Sequence, residues 1–273
     1  PKTRRGRVTG WSASAAGSVT VALATGVIVY QPADNVLGAA TVLLLLAGVF
    51  WPLAALCFMG IKEYPGEVSG GANALTEAWQ RLSILTRDAP FRRFVITRAL
   101  LLCSALTAPY YVALAQQYLG AQSSLLGFFM LASGLASLLS APFWGRFADV
   151  SSRRVMMFAA SMSAALGLVV FALDYSNIGL SQLFTLPLLY FLLTISHQGV
   201  RVGRKTYVVD LAEGNRRTDY VAVSNSVIGL VLLLMGASGA LASAFGYGVA
   251  ILGLSLAGVA GAFMAFRLPE AGQ

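Results

Sequence analysis

The sequence predicts an all-α, polytopic transmembrane bundle of about eight spans. Three observations carry that expectation. Apolar residues make up 57% of the 273-residue chain and charged residues 11%, with a mean hydropathy of +0.73. A soluble globule carries about 25% charged residues, because its surface faces water. The apolar residues also gather into segments near the ~20-residue length needed to cross a bilayer. Finally, Lys and Arg are concentrated in every second connector.

The segments run over 11–31, 37–61, 94–119, 122–144, 154–173, 181–203, 219–243 and 246–267. Four connectors are turn-forming and hold no Lys or Arg: Gln31 to Asn35, Leu119 to Gln122, Asp174 to Asn177, and Phe245-Gly246. The alternate connectors are basic. They hold Lys2, Arg4, Arg5 and Arg7, then Lys62, Arg81, Arg87, Arg92 and Arg93, then Arg146, Arg153 and Arg154. Arg201, Arg204, Lys205, Arg216 and Arg217 come next, and Arg267 last. Basic loops stay on the cytoplasmic side, so both termini are expected there, in a protein of the bacterial inner membrane. The basic start followed by an apolar run resembles a signal peptide, but the run is of span length and leads straight into a second span.

Residues 62–93 form the one long polar connector. Leu75, Trp79, Leu82 and Leu85 recur there at helical spacing, which predicts an amphipathic helix on the inner membrane surface or a linker helix. The net charge of +8 reflects these loops and implies no nucleic-acid partner. Cys57 and Cys103 lie in apolar runs and His197 is the one histidine, so no metal site is expected. No phosphate-cradling Gly loop followed by Lys-Ser or Lys-Thr occurs, and no cofactor is expected.

The most specific local signal is Gly145-Arg146-Phe147-Ala148-Asp149-Val150-Ser151-Ser152-Arg153-Arg154. Gly145 is expected to end one helix and Arg153-Arg154 to start the next. Asp149 can accept backbone N–H groups at a helix N-terminus, where the dipole favours an anion. The run resembles the signature loop of the major facilitator superfamily, Gly-x-Leu-Ala-Asp-Arg-x-Gly-Arg-Arg, at Gly145, Ala148, Asp149, Arg153 and Arg154. Phe147 replaces Leu, Val150 replaces the basic residue and Ser152 replaces the second Gly, which marks a degenerate copy. The resemblance implies a C-terminal portion with the first four of twelve helices absent. Residues 1–61 would be helices five and six, 62–93 the cytoplasmic central loop, and 94–273 the six-helix C-terminal half. Gly145, Asp149, Arg153 and Arg154 would then form a gate, with Asp149 near Thr9 to Ser12.

Polar residues inside spans are costly and point to function or to packing. Tyr190, Thr194, His197 and Arg201 share one helix face, as do Ser133, Ser137, Ser140 and Trp144. Thr107, Tyr110 and Tyr111 lie beside Pro109. The resemblance places such stripes along a central cavity, making Tyr110, Tyr111, Tyr190, Thr194 and His197 candidates for the substrate path. Arg98 and Arg201 are expected to snorkel. Gly253, Ala257 and Gly261, and Gly236, Ala240 and Ala244, are expected to be close-packing faces.

Gly236-Ala237-Ser238-Gly239 is similar to the serine motif of rhomboid proteases, yet His197 precedes it and differs in depth by roughly 18 Å, so no enzyme is expected. No carboxylate lies deep in a span, which leaves His197 as the one intramembrane titratable group for proton coupling. The expected function is secondary transport of a small solute by alternating access, coupled to a proton or another ion, in contact with the lipid bilayer. The alternative is a non-transporting remnant or a membrane scaffold.

Overall fold

The computed structural model describes residues 5–29, 36–62, 81–120, 123–212 and 216–271. These are almost entirely helical: α1 (Arg5–Val29), α2 (Val36–Met59), α3 (Ile84–Arg87), α4 (Ala89–Leu100), α5 (Cys103–Leu106), α6 (Ala108–Leu119), α7 (Ser123–Ser176), α8 (Thr185–Leu211), α9 (Arg216–Met235), α10 (Ser238–Phe245) and α11 (Tyr247–Phe266). Among the described residues, six stretches are long and apolar enough to cross a membrane, Ala89–Leu119 and Arg216–Phe245 being two of them. The helix α7 has 54 residues and would extend about 80 Å at 1.5 Å per residue, far more than a bilayer core. It breaks at Ser151, whose φ of −157° and ψ of 102° are extended, into α7a (123–150) and α7b (152–176). Ser151 then caps the second half, its Oγ accepting from Arg154 N at 3.2 Å. Counting both halves, seven of the eight expected spans correspond to these apolar stretches; the eighth, at 181–203, corresponds to the 27-residue helix α8, which is not among them.

The expected single span at 94–119 is three helices in series. Leu102 N bonds to Ala99 O at 3.2 Å and Ala105 N to Leu102 O at 3.0 Å, a tightening into three-residue turns. Pro109 then removes a donor at the start of α6. Two hydroxyls serve the loosened carbonyls: Ser104 Oγ donates to Leu101 O at 3.0 Å and Thr107 Oγ1 to Cys103 O at 2.7 Å. The chain also enters α4 at Ala89, before residue 94, because Asp88 caps that helix by accepting from Phe91 N at 2.9 Å.

The passes run antiparallel, and this sorts the charges. At one end Asp149 meets Gly6, Arg153 meets Glu270, Arg81 meets Asp219, and the Tyr220 hydroxyl donates to Asp88. At the other, the Tyr118 hydroxyl donates to Asp174 at 3.0 Å and to Asn177 at 3.3 Å. All the described Lys and Arg belong to the first, basic end. Five aromatic residues and a methionine fill the core there: Phe91, Phe94, Trp144, Tyr207 and Tyr220 with Met156. Tyr111, Leu114, Leu125, Phe129, Leu186 and Ile251 fill the opposite end.

The backbones of α1 and α7a approach closely. A Cβ on Gly10 would stand 3.1 Å from the Ala141 carbonyl carbon and 3.3 Å from Gly145 Cα. One on Gly17 would stand 2.6 Å from Leu138 N, and one on Gly134 2.9 Å from Val21 N. Gly145 therefore does not end a helix. It lies inside α7a as a contact point for the α1 backbone, and the helix continues to Val150. The expected small-residue faces are corrected likewise. Gly253 meets nothing within 4 Å and Gly236 meets only Leu233 O, so of those glycines Gly261, against Leu100 and Leu101, is the packing one.

Leu82 and Leu85 pack against the basic-end core, while Leu75 and Trp79 of the expected amphipathic helix lie outside the described residues. No residue of the Thr41–Met59 span is buried, and Leu44, Trp51 and Leu233 are each more than 70% exposed. Apolar surface on that scale needs lipid or protein against it.

Candidate functional site

The 145–154 segment joins three helices. Asp149 Oδ1 accepts from Gly6 N at 2.8 Å, capping α1 across 143 positions of sequence. The carboxylate is only 7% exposed, while its ion-pair partner Arg7 is 56% exposed. Arg7 Nε stands 3.4 Å from Oδ2 without hydrogen-bond alignment, so Oδ2 has charge proximity but no donor. The contact lies one helical turn before Thr9 to Ser12.

Arg153 and Arg154 face the C-terminal tail. Arg153 donates to Glu270 Oε1 through Nε at 3.0 Å and pairs through Nη2 at 2.9 Å. Its Nη1 reaches the carbonyls of Phe266 and Leu268. Ser151 Oγ donates to the same carboxylate, at 3.0 Å to Oε2, and Arg154 Nε lies 3.9 Å away. The Tyr207 hydroxyl fastens the tail by donating to Pro269 O at 2.9 Å. Removing the charge with Glu270→Gln should destabilise the chain by about 0.5–1.5 kcal/mol, since the pair is partly solvated. Thermal unfolding in detergent checks this, and an unchanged midpoint would show the tail to be dispensable.

The expected path residues separate into different surroundings. The Tyr110 hydroxyl pairs with Ser238 Oγ at 2.8 Å, joining α6 to α10. Tyr111 is fully buried among Leu114 and Leu125, its hydroxyl without a partner. Tyr190 places its ring edge-on to Phe129 at 4.9 Å, in the same apolar cluster. Thr194 is half-buried. His197 Nδ1 stands 3.1 Å from Ser104 Oγ on α5. The serine motif and the histidine thus have separate partners, Tyr110 and Ser104.

Other polar contacts were not legible in advance. Gln198 Nε2 donates to Ser137 Oγ at 2.7 Å, Trp144 Nε1 to Ile195 O at 2.8 Å, and Ser14 Oγ to Leu138 O at 2.7 Å. Arg98 does not snorkel: Nη1 donates to Ser224 Oγ and Nη2 to Asn225 Oδ1 at 2.8 Å, tying α4 to α9. Its Nε is buried without a partner. Arg204 lies seven residues after His197, on the same face of α8.

Apolar antiparallel passes, one basic end and a polar helix face define a polytopic helical membrane protein. The family described as the Major Facilitator Superfamily matches residues 94–273. The chain belongs to that superfamily and is an integral membrane transporter protein. Comparison with curated protein sequences yields no match.

Proposed function

We propose that this chain moves a small solute across the membrane by alternating access, as the C-terminal portion of a secondary transporter. Residues 1–61 act as two helices resembling the fifth and sixth of the superfamily, 62–93 as the connecting loop, and 94–273 as the C-terminal half. The basic end is cytoplasmic, by the charge rule. One observation carries the reading: Asp149 of the C-terminal half caps α1 of the preceding pair at the basic end. That contact joins parts that move relative to each other when a transporter rocks about a central site. It holds the basic end closed. Gly145 allows the two backbones to meet, and Arg153 and Arg154 anchor the segment through Glu270.

The half-buried residues of α8 supply a test that needs no known substrate. With Cys57 and Cys103 replaced by serine, Thr194→Cys is made in the full chain in oriented vesicles. An impermeant maleimide should reach it from either face. Labelling from one face alone, under all conditions, would overturn alternating access.

A further inference from the structure

We propose that the cavity between α4–α5, α9 and α11 binds a medium-chain carboxylate, its apolar chain in the cavity and its head group on Arg98. The inference goes beyond the transporter reading and does not rest on it. The cavity has a volume of about 270 Å³ and is lined by apolar residues throughout. Leu102 and Leu106 wall it on one side, Val231 and Met235 of α9 on another, and Leu254 and Ala257 of α11 on the third. Arg98 closes it toward the basic end. Its Nη1 donates to Ser224 Oγ and its Nη2 to Asn225 Oδ1 at 2.8 Å, which carries the guanidinium across from α4 to α9. Ser224, Val227, Val231 and Met235 recur at three, four and four residues along one face of α9. The cation therefore meets the apolar stripe at its first residue.

The two parts of the site define the two parts of the ligand. Ser224 and Asn225 are neutral, so they satisfy donors of Arg98 without countering its charge, and Nε is buried with no acceptor. A cation inside a membrane span is costly, and a carboxylate beside it offsets that cost. The planar guanidinium fork suits a carboxylate in particular. The rest of the ligand must be apolar, because the cavity offers a polar body no partner. The volume lies just below the ~300–1,000 Å³ of drug-sized sites, which suits one chain and not the two of a phospholipid. Depth points the same way. Ser224 lies eight residues after the start of α9, about 12 Å along the axis from the basic end. A phospholipid phosphate stays in the polar interface, whereas the carboxylate of a single chain can descend to that level. From Val227 to Met235 the apolar stripe runs on for about another 12 Å, which sets the length of the chain.

The test measures radiolabelled decanoate bound to the full chain in phosphatidylcholine nanodiscs, with uptake by empty nanodiscs of the same composition subtracted. Decanol has the same tail with a neutral head, and acetate the same head without the tail. Decanoate should bind roughly tenfold more tightly than decanol, and acetate should not bind measurably. Arg98→Gln should bring decanoate down to the level of decanol. Ala257→Phe, which places a ring in the cavity, should remove the binding of both. Arg267→Gln, an exposed cation beside Phe263 and outside the cavity, should leave both unchanged. The comparison of acid with alcohol is made in the wild type, so it decides the matter even where a variant fails to fold. Decanoate held no better than by empty nanodiscs, or no better than decanol, would overturn the proposal. So would wild-type binding in Ala257→Phe. Displacement of decanoate when phosphatidylglycerol replaces part of the phosphatidylcholine would also overturn it, making a bilayer lipid the occupant.

Discussion

Gly10→Ala should destabilise the chain by roughly 1–3 kcal/mol, whereas Gly26→Ala on the same helix should be neutral or stabilising. Ordinary helix propensity predicts a gain at both positions, since Gly is the poorer helix former. The two sites differ in what a methyl group meets. At Gly26 nothing lies within 4 Å, while at Gly10 the new Cβ strikes the carbonyl of Ala141 and presses on Gly145 Cα. The obstacle is backbone on both sides, so no side chain can rotate out of the way, and α1 must retreat from α7a. Retreat loses dispersion contacts along the whole seam and stretches the Ser14 to Leu138 hydrogen bond. Thermal unfolding of the two variants in one detergent decides the matter. Equal midpoints would mean that α1 is not seated on α7a as described.

The spans and the sorting of charge were legible because both follow from transfer energies, which act on composition one segment at a time. That the chain breaks between the spans at 122–144 and 154–173 was legible from length, since no bilayer accommodates 54 residues in one pass, but its place was not: Gly145 was expected to end the helix, and Ser151 does. Helix partners were not legible. Gly253 and Gly10 look alike in sequence, and only the neighbour distinguishes open space from a backbone contact. The same limit hid Glu270 as the partner of Arg153, at a separation of 117 positions. The depth of Arg98 in its span suggests snorkelling, but its lateral neighbours Ser224 and Asn225 stand on a different helix, which sequence does not show. The path residues were chosen by helix face, and the structure divides them between an apolar cluster, for Tyr111 and Tyr190, and the polar contacts of Tyr110 and His197.

Asp149→Asn should raise labelling from the basic side at Thr194→Cys, and Asp149→Ala should raise it further. The wild-type carboxylate accepts from Gly6 N at 2.8 Å and sits at the positive end of the α1 dipole. A charged hydrogen bond in that position contributes on the order of 1–2 kcal/mol. Lost from a balanced two-state equilibrium, this amount shifts the populations by roughly five- to thirty-fold. Asparagine keeps a neutral acceptor for Gly6 and so loses only part of it, while alanine leaves the α1 terminus uncapped. Arg7 contributes little, since it is largely exposed and stands 3.4 Å from Oδ2, so Arg7→Gln alone should change labelling less than Asp149→Asn. Helix content should stay constant across the series, because the cap joins two helices that are each complete without it. If labelling in all three variants matches the wild-type rate, Asp149 secures a packing seam and the closing of the basic end must be sought in other contacts.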